Sequence, residues 1–548
     1  NEEQHHQGTG EVRVQELTAN SASFIIDLNG SADSLDGVMY AKAEELDISP
    51  WVKGLLATRR PLKESRANFE VWAEVKESQF SAFYTEFHES KLAWGGDDDV
   101  VFNTGIRGGS IQAQPYNNRW HFRVDQLIFD SNDQSLVTDL VGTVSPQGEV
   151  LVNTVKPAPV NPFLVLLPLF TDDTADDNIR DLKPEGQLAT LQLNIRPRGV
   201  DVAAKLLGVS WQQDNKTPGM SSLDLDIYWH KKQGVIMLSA NEAKLDIDNL
   251  LPESVDIDAL RGRVYIYQQD VNEEKHWVVH SDRMMLESAK LTAIPSFRFD
   301  TNNGELAARL DVQKRPLQDI QLLLPGPIMG KNTTAFLNRA FEGPGTIEAA
   351  SIVWQGKPAD FPFENNEGVF QANVRITDST FRFSDKWQPL EHLDLTLLFE
   401  NEKLLMSGPD ALLGDVKVSQ LRAEIPALKS NSKVIIDAFG EADSKAVTAL
   451  MLDSSLSESL GRLLDKDILI DGALSASLHL DIPFSSPDVV ASGTVTLPGN
   501  DVHIASTKMD FGDAKGLVSF VNERVTFDNL NAQLLEQPVK LTFTGDRI

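Results

Sequence analysis

Apolar and polar side chains alternate with period two through most of the chain. Each run is closed by Gly, Asn, Asp or Pro, a pattern that predicts antiparallel β-strands. In residues 472–480, Leu474, Ala476, Leu478 and Leu480 fall on one face, and Ala473, Ser475, Ser477 and His479 on the other. Strands are predicted likewise at 11–14, 67–75, 78–87, 120–129, 186–195, 223–229, 235–238, 245–247, 262–266, 276–280, 304–312, 368–376, 380–383 and 393–399. Glycine opens such strands at Gly186, Gly262, Gly304, Gly345, Gly368, Gly472 and Gly493 without a fixed period, as in a sheet that grows by similar strands with variable connections. Short helices are predicted at 50–56, in the apolar run 160–170, at 333–341, and as a pair at 444–452 and 455–464. Asn332 or Thr333 can cap the 333–341 helix and Gly343 can end it. Changes of texture divide the chain into segments 1–157, 158–332 and 333–548.

One face of every such strand is apolar and must be covered. A second sheet would cover it in a sandwich, and inward side chains would fill a closed barrel. In a third arrangement a curved open sheet is covered by lipid tails. Alternation alone does not separate the three, and composition ranks the sandwich first. All-apolar parallel-type strands are too rare and helices too few for a doubly wound α/β enzyme.

Charge and composition narrow the partners. The 548 residues exceed the size of a single core, so several domains or a quasi-one-dimensional architecture is expected. With 50 Lys and Arg against 80 Asp and Glu the formal charge is −30, which repels phosphate backbones and argues against nucleic acid as a partner. The absence of cysteine removes disulfides and thiolate chemistry. No apolar run reaches the length of a membrane span, and the start lacks a signal-peptide pattern. The last residues, 540–548, follow a strand pattern without a closing element, so a piece of a longer protein is expected.

Catalytic, cofactor and metal chemistry find no support. Residues 326–332 imitate a phosphate loop, but the spacer is one residue short and Asn332 stands where Ser or Thr should be. No nucleophile elbow or zinc-protease pair occurs. His276 and His280 share a strand face too far apart to chelate one ion, and are read as surface or edge residues. The acidic triplet 97–99 reads as a solvated turn, Asp224 and Asp226 as residues of a solvated strand face, and the scattered tryptophans as core. No enzyme activity, cofactor or metal site is expected.

The order of several short motifs carries a resemblance. Asp360-Phe361-Pro362-Phe363-Glu364-Asn365-Asn366-Glu367-Gly368-Val369-Phe370, then Trp387-Gln388-Pro389-Leu390-Glu391-His392-Leu393, resembles the large AsmA-like envelope proteins of Gram-negative bacteria, the YhdP family in particular. Further matches are Leu182-Lys183-Pro184-Glu185-Gly186, Trp211 with Pro218-Gly219, Leu322-Leu323-Leu324-Pro325, Trp354-Gln355-Gly356, and Leu480-Asp481-Ile482-Pro483-Phe484 with Gly493-Thr494-Val495. They cover residues 158–545, and the first 150 residues fit as the more variable part. The resemblance implies an elongated, twisted antiparallel sheet forming a taco-like repeating β-groove, in a periplasmic body anchored to the inner membrane by a helix outside this sequence. It implies a conduit for phospholipid between inner and outer membranes, with envelope proteins as further partners. Acyl chains would then lie along Phe370, Ala372, Val374 and Ile376, along Leu393, Leu395, Leu397 and Phe399, and along Leu474, Ala476, Leu478 and Leu480. The alternative is an envelope scaffold with a filled sandwich core.

Overall fold

An extended strand points its N–H and C=O groups sideways, so a neighbour must satisfy them at each edge. The computed structural model describes residues 4–13, 21–31, 33–49, 62–95, 101–131, 134–169, 178–196, 199–213, 217–246, 254–271, 274–289, 291–322, 331–341, 343–429, 431–486, 488–522 and 524–545. The predicted helix at 50–56, the triplet 97–99 and the phosphate-loop look-alike at 326–330 lie outside them. The chain divides into two compact units, residues 1–246 with 255–279 and residues 247–254 with 280–548.

The first unit is a meander. Gln4–Arg13 pairs antiparallel with Ser21–Ser31, which pairs with Ser34–Leu46, which pairs with Leu62–Lys76. The short strands Gln79–Phe87 and Ser90–Gly95 join Leu62–Lys76 to Val101–Tyr116. Arg119–Ser131, Gln134–Val144, Val150–Thr154, Glu185–Arg196, Gly199–Trp211, Gly219–His230, Gln233–Asp246 and Val255–Val271 follow, each antiparallel to the last. The predicted apolar helix forms as a 3-10 helix, Asn161–Leu169.

The second unit repeats the scheme from Thr292–Asp300 and Glu305–Val312 through Thr346–Gly356, Val369–Phe381, Leu390–Glu400, Lys403–Leu413, Val416–Ile425 and Lys433–Asp443. It continues with Ala473–Pro483, Val490–Ile504, Met509–Val521, Arg524–Leu534 and Gln537–Gly545. Helix α1 (Lys331–Ala340) and helix α2 (Ser444–Leu452) interrupt it, α2 being followed by π-helical turns at Ser457–Gly461 and Leu463–Asp467. The fold is therefore mainly β, antiparallel, with a few short helices.

Long strands slip register at one residue in the left-handed region, and each slip bends the strand. Three such residues are Gln126 (φ 49°), Gly208 (φ 60°) and Asp378 (φ 48°), between register pairs Val124/Leu127, Leu206/Val209 and Ile376/Ser379. A carboxylate on the neighbouring strand takes the freed amide each time. The Gln126 N–H donates to Asp139 Oδ1 at 2.9 Å, Gly208 to Asp224 Oδ1 at 2.8 Å and Asp378 to Asp394 Oδ1 at 3.0 Å. Asp394→Ala leaves that amide without its acceptor and is expected to cost about 1 kcal/mol. A lower urea midpoint at unchanged slope reads that loss, and Asp394→Asn, which keeps an accepting oxygen, should stay near wild type.

Asp139 is held twice, because its Oδ2 also pairs with Lys156 Nζ at 2.7 Å. The Lys156 ammonium, then the Gln126 amide, hold its carboxyl below the usual carboxylate range. A depressed folded-state value contributes stability above the unfolded value of about 3.9, and that stability is lost as pH falls through the folded value. The urea midpoint is therefore expected to fall below about pH 4, and Asp139→Asn should make that fall shallower in a pH series of unfolding curves.

Candidate functional site

Antiparallel register aligns one side chain from each strand in a row across the sheet. In the first unit one row runs Gly8, Ile26, Met39, Ala73, Phe83, Ala113, Phe122, Gly142, Val152, Leu193, Val202, Trp229, Gly234 and Ile266. No member is polar. At about 4.8 Å per strand these steps cover roughly 60 Å. Glycine leaves no gap where an aromatic neighbour crosses it: the Phe122 ring lies over Gly142 and the Trp229 ring over Gly234. Most of the row is half-buried, with Ala73 and Leu193 buried. The apolar face of the first unit is therefore continuous and incompletely covered by protein.

The corresponding row of the second unit is buried. Ala293, Val312, Ala350, Val374, Leu397, Met406, Ala423, Ile436, Leu480 and Ala491 align by register, and each is at most 4% exposed. Leu317 and Ile320 of the 3-10 helix Leu317–Leu322 share this core with Phe336 and Leu337 of α1. Trp354 packs on Phe361, Phe363 and Phe370 at ring-centroid distances of 5.2, 5.2 and 5.8 Å. Of the residues that the resemblance set along an acyl path, Phe370, Ala372, Val374, Ile376, Leu393, Leu395, Leu397 and Phe399 stand in this packed core at 0–9% exposure. Protein side chains occupy the space they face.

Leu474, Ala476, Leu478 and Leu480 instead line a cavity of about 440 Å³, within the range of small-molecule sites. Strand residues such as Leu497, Phe511, Phe527 and Leu530 continue its walls, and Val447, Leu450 and Met451 of α2 cover it together with Leu460, Leu463 and Leu464. The cover is pinned to the sheet at its edges. Ser444 Oγ donates to the Ile470 carbonyl at 2.7 Å, Trp387 Nε1 to Ser455 Oγ at 3.0 Å and Gln388 Nε2 to Asp453 Oδ2 at 2.7 Å. The lining is apolar except for Ser477, Ser506 and Asp467, and Ser477 already shares a hydrogen bond with Thr494. Left in contact with water, this apolar lining forgoes about 25 cal/mol for each Å² that an apolar occupant would cover.

Reading one strand at a time found the wall Ala473–Pro483 but missed its partners on Val490–Ile504, Met509–Val521 and Arg524–Leu534, whose weaker alternation was the available signal. The helical pair was legible, but its role as a cover was not. His276, read as a surface or edge residue, is buried: it shares its strand face with Val278, which has no exposed surface.

Bent antiparallel sheets with an apolar face, half-open in the first unit and holding a cavity in the second, place the chain among groove-like β-proteins. The chain belongs to the YhdP family: the family model described as YhdP protein matches residues 1–547. Over 566 residues it is 24% identical to the intermembrane phospholipid transporter YhdP of Escherichia coli (strain K12), covering 99% of this chain and 44% of that protein. The chain thus spans less than half the length of that relative. No solved structure matches it. Among the described residues no helix is long and apolar enough to cross a membrane, and no cluster of His, Asp and Glu is arranged to hold a metal ion.

Proposed function

We propose that this chain is a section of a lipid conduit that holds phospholipid acyl chains against its apolar face as they pass between the inner and outer membranes. The observation that carries this reading is the unbroken, mostly half-buried row from Gly8 to Ile266. Each methylene moved from water onto such a face gains about 0.8 kcal/mol. Because apolar contact has no preferred direction, a chain can slide along the row without breaking specific bonds. The cavity under α2 is a second acyl site, with Leu474, Ala476, Leu478 and Leu480 as its floor. The name of the E. coli relative, an intermembrane phospholipid transporter, supports this reading. On this reading the chain lies in the periplasm and reaches both membranes through regions outside it, and no catalytic group or cofactor is required.

The filled row from Ala293 to Ala423 favours a second reading for that part of the chain, a scaffold section acting through protein contacts. Native mass spectrometry of the purified chain with lipid extraction separates the two. Bound phospholipid is the expected result, and a lipid-free protein that excludes apolar probes leaves only the scaffold.

A further inference from the structure

Among the described residues the cavity under α2 has one charged lining residue, Asp467, and no Lys, Arg or His lines it. Asp467 ends the π-helical turn Leu463–Asp467, and its backbone carbonyl accepts the Ala505 N–H at 2.9 Å, which ties the residue to the rim. The residue is exposed, and its carboxylate has no hydrogen-bond or ion-pair partner among the described residues. The adjacent cation is engaged elsewhere, since Lys466 Nζ pairs with Asp465 at 3.0 Å. Apolar walls ending at a rim with one unneutralised carboxylate match a molecule with an apolar tail and a cationic head.

We propose that Asp467 is a headgroup-selecting residue that favours lipids bearing a primary ammonium, such as phosphatidylethanolamine, over lipids whose headgroup is anionic. The assignment rests on the conduit reading, because it takes the acyl chain to lie in the cavity. The ammonium sits at the Asp467 carboxylate while the phosphate remains in water outside the rim. The formal charge of −30 acts in the same sense, since an anionic headgroup is repelled and a zwitterionic one is not. An exposed ion pair supports a preference of about two- to five-fold.

The test equilibrates the chain with vesicles of equimolar phosphatidylethanolamine and phosphatidylglycerol of identical acyl composition, and reads the bound ratio by native mass spectrometry. Wild type is expected to be enriched about three-fold in phosphatidylethanolamine, Asp467→Asn to approach parity and Asp467→Lys to favour phosphatidylglycerol. Residue 467 is exposed, so both variants should fold, which the melting temperature checks. A lipid-loaded protein whose ratio is unmoved by Asp467→Lys, or a wild type that prefers phosphatidylglycerol, overturns the headgroup assignment alone. A protein that takes up neither lipid overturns the conduit reading and this assignment with it.

Discussion

Leu397→Asp is expected to unfold the second unit. Leu397 has no exposed surface and lies between Val374 and Met406, both 2% exposed. A carboxylate there meets neither a partner nor water, and an uncompensated buried charge costs several kcal/mol beyond the roughly 2–5 kcal/mol of lost packing. A domain has only about 5–15 kcal/mol to lose. Limited proteolysis should cut residues 280–548 at protease concentrations that leave the wild type intact. Wild-type resistance in this variant would contradict a filled core between Ala293 and Ala423.

Val202→Glu should do the opposite, preserving the fold and removing the lipid. Val202 is half-buried between Leu193 and Trp229 in the open row, so a glutamate can keep its carboxylate hydrated. The expected stability loss is about 1 kcal/mol, a shift of a few degrees in melting temperature. The apolar path is broken all the same, because methylenes lying against that site lose their dry contact at about 0.8 kcal/mol each. Phospholipid recovered by extraction is expected to drop at least about five-fold, two methylenes' worth of contact being ample for that, while Val202→Leu retains it. A charged variant that keeps the wild-type lipid load would remove the groove of the first unit from the conduit.

The contrast between these positions shows where sequence reasoning stopped. Phe370, Ala372, Val374 and Ile376 alternate as predicted, but the pattern then slips at Asp378, and Ser379 and Phe381 carry the buried face onward. Two predicted strands, 368–376 and 380–383, are joined in one bulged strand, Val369–Phe381. Its bulge depends on Asp394, sixteen residues away on the next strand. Asp224 was likewise legible only as a polar residue on a strand face, although it holds the bend at Gly208. Thr333, read as a helix cap, donates its hydroxyl to the Lys429 carbonyl at 2.8 Å. The prediction for α2 needed no distant partner, and Asp443 caps it by accepting from the Lys445 N–H at 3.0 Å.

By itself the sequence determined the mainly antiparallel β class and, in the strands it revealed, the apolar face that each presents, because a period of two is a local property of extended backbone. Only the tertiary structure decided what covers that face. In the core that holds Leu397 the cover is protein, Leu317 and Phe336 included, near Leu478 it is α2 above a cavity, and at Val202 the face is left half-open. The same leucine or valine suits all three surroundings, since apolar contact asks only that water be absent and is indifferent to what replaces it.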